Sequence, residues 1–191
     1  MDDFKKILAE ISSPNFFLGM LTLLMLAALT YSVTASWKVY RREPLVEAAS
    51  RSLLAVNSSF FYDSGMAEPV PVFFLKLAMA AGADPDSAVR AGGMAVFTAL
   101  VLVTVFVLRK RFGGQCAVMA ALFLAANPFM CFYAMQGGSH LYSLLFLVLF
   151  WHYFDLPEPS RKAALLAGLY GGLACLSRLD AAWALLLIAA L

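Results

Sequence analysis

Charge is scarce in this chain. Of 191 residues, only 14% are Asp, Glu, Lys or Arg, and 62% are hydrophobic. Soluble domains carry about a quarter charged and about half apolar residues. The shortage excludes an ordinary water-soluble domain and predicts an integral membrane protein. Basic clusters of the kind that hold nucleic acid are missing too. The net charge is +2, and Lys and Arg are dispersed at the ends of apolar segments, so no nucleic-acid partner is expected. The three cysteines, Cys116, Cys131 and Cys175, have no CxxC spacing and lie inside apolar runs. They read as small buried hydrophobes. No cleavable signal peptide is expected, because the first apolar run is too long for an h-region and lacks an A-x-A site. No internal repeat stands out, and the apolar runs carry almost no central charge, which disfavours a transporter.

What the sequence does have is one long polar interval between membrane-length apolar segments, from Trp37 to Pro71. It holds four of the twelve acidic residues (Glu43, Glu47, Asp63, Glu68) and four basic ones (Lys38, Arg41, Arg42, Arg51). Before it, Phe16 to Ser36 is a 21-residue run without charge. That is enough to cross about 30 Å of hydrocarbon at about 1.5 Å per residue. Trp37 and Tyr40 fall where an interfacial aromatic belt belongs. Residues 1–15, with apolar positions at 4, 7, 8 and 11, predict a short amphipathic helix on the cytoplasmic surface or a frayed tail.

Within the interval, charges at 43, 47 and 51 oppose apolar residues at 45, 46, 53 and 54. That pattern predicts a helix over 44–56 lying in the interface plane, with Pro44 in its first turn. Val70 to Gly82 is apolar but short, with Lys76 at its middle, and suits an interfacial or re-entrant helix. Asp86 is the expected cap of a second span, Ser87 to Leu108, ending in Arg109-Lys110-Arg111. Gly113-Gly114 make a turn. A third span, Gln115 to Met135, kinks at Asn127-Pro128. After the loop QGGSH comes a fourth span over Leu141–Phe154, short unless it takes in Ser139 and His140. A fifth helix over Ala163–Ser177 is rich in Gly and Ala for close packing. Arg178-Leu179-Asp180 break the chain before a last apolar run, Ala181–Leu191, too short to cross. That ending predicts the front part of a longer protein, or a subunit completed by another chain. His152, between Trp151 and Tyr153, reads as an anchor at the inner interface.

An inside N-terminus leaves Lys5, Lys6, Arg109, Lys110, Arg111, Arg161 and Lys162 in the cytoplasm. Seven basic residues remain outside, but in segments roughly twice as long, so density favours that orientation. The 37–86 external region, QGGSH and the Arg178–Asp180 break then share one external face. Three polar breaks there supply carboxylates, a histidine and cations at the lipid boundary. A transferase using a lipid-phosphate sugar donor needs such a set: a carboxylate to take the acceptor proton, cations to balance the leaving phosphate, and an apolar groove for the tail.

The order of these pieces resembles the N-terminal membrane module of GT-C fold glycosyltransferases, which include protein O-mannosyltransferases and aminoarabinose transferases of lipid A. It lies in one span, an external loop with an early acid at Glu43, EPVPVFFLKLAMAAG, Ala88-Val89-Arg90, a span ending in RKRFG, NPFMCFYAMQGGSHLYSLL and GLYGGLACLSRLDAA. The resemblance implies an all-α, polytopic transmembrane bundle of GT-C type over 16–191, its long external loop carrying interfacial helices. It also implies a multi-pass protein of a bacterial inner membrane that moves a sugar from a polyprenyl-phosphate donor, with inversion. Glu43 would be the base, with Glu68 as the second candidate. Arg90, Arg178, Lys76 and His140 would hold the phosphate. Membrane lipids and further membrane subunits are the expected partners, and a divalent metal is left open as cofactor without a firm ligand set. Two departures stand out. Glu43-Pro44 replaces the family's early Asp or Asp-Glu, and Gln136 replaces the acid of a Tyr-x-x-Glu pattern. They motivate the alternative of a catalytically degenerate scaffold subunit. Each site residue also has a plainer reading: a helix-dipole acid for Glu43, a turn residue for Glu68, a polar span mouth for His140, and a salt bridge with Asp180 or snorkelling for Arg178.

Overall fold

The computed structural model describes residues 14–40, 68–156 and 160–190. Glu43, Glu47, Asp63 and the expected 44–56 helix lie outside the described residues, as do most of 1–15. All regular structure among the described residues is α-helical. In chain order the helices are α1 (Pro14–Tyr40), α2 (Pro69–Ala80), α3 (Pro85–Ala125), α4 (Pro128–Met135), α5 (Ser139–Phe154), α6 (Arg161–Ser177) and α7 (Ala181–Ala190). Proline opens α2, α3 and α4 in the first turn, where its fixed φ suits a helix and its missing N–H costs nothing.

The caps follow from those prolines. With Pro85 at the first helical position, Asp84 becomes the N-cap, and its carboxylate accepts from Ser87 N at 3.1 Å. This corrects the expectation that Asp86 caps α3. Asp86 sits one residue inside and pairs with Arg90 at 3.3 Å. Asn127 caps α4 by accepting from Phe129 N and Met130 N, so the Asn-Pro step starts a new helix instead of kinking one. Ser160 caps α6 through Ala163 N. The first helix also outruns its expected limits of 16 and 36. Trp37 belongs to it and packs against the core, because nothing in Trp37–Tyr40 breaks a helix.

α3 is two arms. Run straight, its 41 residues would carry the chain about 60 Å at about 1.5 Å per residue. Yet a Cβ added at Gly93 would overlap the carbonyl oxygen of Ala134, so the chain has come back. The reversal lies at Gly113, the non-helical residue inside α3, with φ 82° and ψ 166°. That φ suits glycine and few other residues. The neighbouring elements then alternate in direction. Leu18 of α1 meets Gly114 at the reversal, and Ser32 donates to the Ala125 carbonyl at 2.6 Å near the other end. Arg111 pairs with Asp155 after α5. Gly171 of α6 packs on Phe150 of α5 and Leu185 of α7.

Leu21 and Met25 of α1, Phe97, Leu100 and Val101 of the first α3 arm, Ala121 of the second, and Met135 and Leu141 beyond form one core. A small satellite of Val72, Leu75 and Val89 ties α2 to the start of α3. The outer faces are apolar as well: Leu23, Tyr31, Phe123, Leu165, Trp183 and Leu187 are each more than two-thirds exposed. Among the described residues, two helices, Asn15–Val39 and Pro85–Ala125, are long and apolar enough to cross a membrane. Such an exterior suits lipid rather than water. One detail corrects the sequence expectation. Cys116 is exposed while Cys131 is buried, because the second α3 arm turns position 116 outward. His152, expected as an anchor at the inner interface, has its ring buried against Phe106 and Tyr153.

Candidate functional site

One end of the bundle gathers the start of α2, the start of α5 and the end of α6. Glu68 is the N-cap residue of α2 but makes no side-chain cap. Its carboxylate turns to α5 instead, where the fully buried Ser139 Oγ donates to Oε1 at 2.5 Å. Ser139 is the first residue of α5, so the positive end of that helix dipole also faces the carboxylate. Arg178 leaves α6 in extended conformation, φ −157° and ψ 129°, which swings its side chain back over this end. Its Nη1 lies 3.7 Å from Glu68 Oε1 and 3.4 Å from His140 Nδ1. Nε and Nη2 grip the Asp180 carboxylate at 2.8–3.1 Å. The His140 ring rests 5.5 Å from that of Tyr133.

Hydrogen bonds from Arg178 hold the Asp180 carboxyl below the ordinary carboxylate value. A fork of this kind is geometrically specific, though its exposure to solvent keeps the net stabilisation small. The group thus joins two carboxylates, an imidazole and one guanidinium. Glu68, His140 and Arg178, predicted from separate stretches, are therefore brought together. The other two predicted cations belong to α2 and α3. Lys76 is the eighth residue of α2, about 12 Å along the axis from Glu68. Arg90 is buried in the second turn of α3 and engages Asp86. Ser139 was not singled out from the sequence. Its signal was a serine directly after Gly137-Gly138 at a helix start, a place where a hydroxyl is free to leave its own backbone.

A cavity of about 800 Å³ opens beside this cluster, between α2, α3 and α5. Its floor is a row of small residues on one face of α3, Ala88, Gly92, Ala95 and Ala99, and aromatic walls come from Phe74, Tyr142 and Phe146. The spacing of four, three and four keeps that row on one side of the helix. Pro71 and Gly137 also line it. They stand three residues after Glu68 and two before Ser139, so the groove meets the polar cluster at its mouth. Volume and lining fit an apolar ligand oriented by a few polar groups.

Gln136 lies in the same turn. It is buried, and its Oε1 accepts no hydrogen bond from the described residues. Among the described residues no group of three or more His, Cys, Asp or Glu assembles to hold a metal ion. The two carboxylates of the cluster are engaged by Ser139 and Arg178. The chain matches no known protein-family model, no curated protein and no solved structure.

Proposed function

We propose that the chain is a multi-pass membrane module of a GT-C type glycosyltransferase that uses a polyprenyl-phosphate sugar donor. The observation that carries this reading is the junction of an apolar groove of about 800 Å³ with the Glu68–Ser139–Arg178–His140 cluster. The isoprenoid tail lies in the groove, and the phosphate sits at its mouth near Arg178 and His140. The acceptor hydroxyl gives its proton to a carboxylate, Glu43 in the first instance and Glu68 in the second. The acceptor oxygen attacks the anomeric carbon from the side opposite the phosphate. The carbon–phosphate oxygen bond breaks, the electron pair leaves with the lipid phosphate, and configuration inverts. The Glu68 end is placed on the external face of a bacterial inner membrane, and the basic turns and N-terminus on the cytoplasmic face.

The test uses the full-length protein with a polyprenyl-phosphate sugar. Glu43→Gln is expected to lower turnover about 10²–10⁴-fold with donor binding nearly unchanged, since a general base acts on the transition state. Arg178→Ala should weaken donor binding instead. If Glu68→Gln abolishes turnover and Glu43→Gln does not, the base is Glu68.

One observation favours a second reading. Asp180 already takes three hydrogen bonds from Arg178, which leaves that guanidinium less charge to offer a phosphate. A catalytically degenerate scaffold subunit of a larger membrane complex would retain such a closed cluster. Absence of any donor binding by the full-length protein would select it.

A further inference from the structure

The opposite end of the bundle is basic. Arg109, Lys110, Arg161 and Lys162 are all exposed there. Arg111 is partly buried, bonded to the Asp155 carboxylate and to its carbonyl at 3.0 Å. Among the described residues of this end, Asp155 is the acid that faces these cations. Five described cations, Arg109, Lys110, Arg111, Arg161 and Lys162, therefore stand against one described carboxylate. The heads of two cations rest on aromatic rings, Lys110 over Phe106 at 4.8 Å and Arg111 over Trp151 at 4.4 Å. Below them Phe106, Phe112, Phe154 and Leu165 are exposed. The cations therefore mark the level at which the apolar exterior stops, with aromatic rings directly beneath. In a bilayer that is the level of the phosphates.

The helix ends sharpen the point. Arg109–Arg111 end the first arm of α3, where the dipole welcomes cations. Arg161 and Lys162 sit in the first turn of α6, where it opposes them. Two exposed cations at a helix start are tolerable when a negative surface faces them.

We propose that this basic end binds the phosphates of anionic phospholipids, so that the protein prefers an anionic leaflet. The proposal rests on the membrane reading above but not on any transferase activity. Juxtamembrane cations each strengthen attachment to an anionic surface about fivefold.

The experiment titrates the full-length protein, in detergent micelles, with phosphatidylglycerol or phosphatidylcholine of the same acyl chains, followed by native mass spectrometry. Phosphatidylglycerol is expected to bind at least tenfold more tightly. The variant Arg109→Gln/Lys110→Gln/Arg161→Gln/Lys162→Gln should lose that preference, and the pair Arg161→Gln/Lys162→Gln should lose part of it. Lys38→Gln, at the far end of α1, should keep it. Equal affinity of the wild type for both lipids overturns the proposal, as does an undiminished preference in the fourfold variant. Displacement of phosphatidylglycerol by millimolar inorganic phosphate would assign the site to a soluble anion and also overturn it. A protein that stays dispersed without detergent and binds neither lipid would refute the membrane reading itself.

Discussion

Glu68 and Ser139 stand 71 positions apart, yet the buried serine hydroxyl donates to the carboxylate at 2.5 Å. The bond joins the residue before α2 to the first residue of α5, and so fixes the mouth of the groove from two sides. A hydrogen bond to a charged group contributes about 1.5–3 kcal/mol when its partner is left unsatisfied. Ser139→Ala is therefore expected to lower stability by about 1–3 kcal/mol, measured by thermal unfolding in detergent. In a Glu68→Ala background the same change should cost much less, because the shared interaction is already gone. Equal costs in the two backgrounds would mean that the pair does not couple α2 to α5.

The contact between Gly93 and the Ala134 carbonyl can be tested against a neutral glycine. A methyl group at Gly93 meets backbone, which cannot move aside as a flexible side chain would. Gly93→Ala should destabilise by about 1–3 kcal/mol, the range of overpacked cores. Gly172, inside α6, has nothing within 4 Å of an added Cβ. Gly172→Ala should stabilise by about 0.5–1 kcal/mol through helix propensity. The two unfolding midpoints should shift in opposite directions.

Asp84 and Asp86 make different kinds of contact two residues apart. Asp84→Ala removes the α3 cap and should cost about 0.5–2 kcal/mol, while Asp84→Asn keeps most of it. Asp86→Ala leaves the cap intact but takes an ion pair from the buried Arg90. It should be the less tolerated of the two when scored by unfolding, because a buried cation losing a partner is costly.

Asp180 gives the cluster a pH dependence of definite sign. Its carboxyl is held below the ordinary value of 3.8, first by the hydrogen bonds from Arg178. A depressed carboxylate contributes stability above its unfolded value, and that stability is lost as the pH falls through the folded one. Asp180→Asn should therefore unfold earlier than the wild type at neutral pH and converge with it in acid. The gap should shrink with added salt, since the pair is exposed. A gap that widens in acid would contradict this assignment.

Local chemistry carried a large part of the architecture. Prolines and their preceding polar residues mark where α2, α3 and α4 begin. Gly113 marks the reversal, and uncharged runs mark the long apolar helices, because each of these effects acts within a few residues of its cause. Even so, Asp84 and Asp86 could not be told apart as caps until the position of Pro85 in the first turn was known. The exposure of Cys116 and the burial of His152 depend on how whole helices rotate against one another, and apolar composition all round a helix leaves that rotation unspecified. Glu68, His140 and Arg178 were legible as polar breaks at helix ends. The Arg178–Asp180 pair, two residues apart, was legible too, whereas the meeting of Glu68, His140 and Arg178 and the recruitment of Ser139 belong to the tertiary structure alone. Those contacts span up to 71 residues of sequence and exist only because alternating helix directions bring the starts of α2 and α5 to the end of α6.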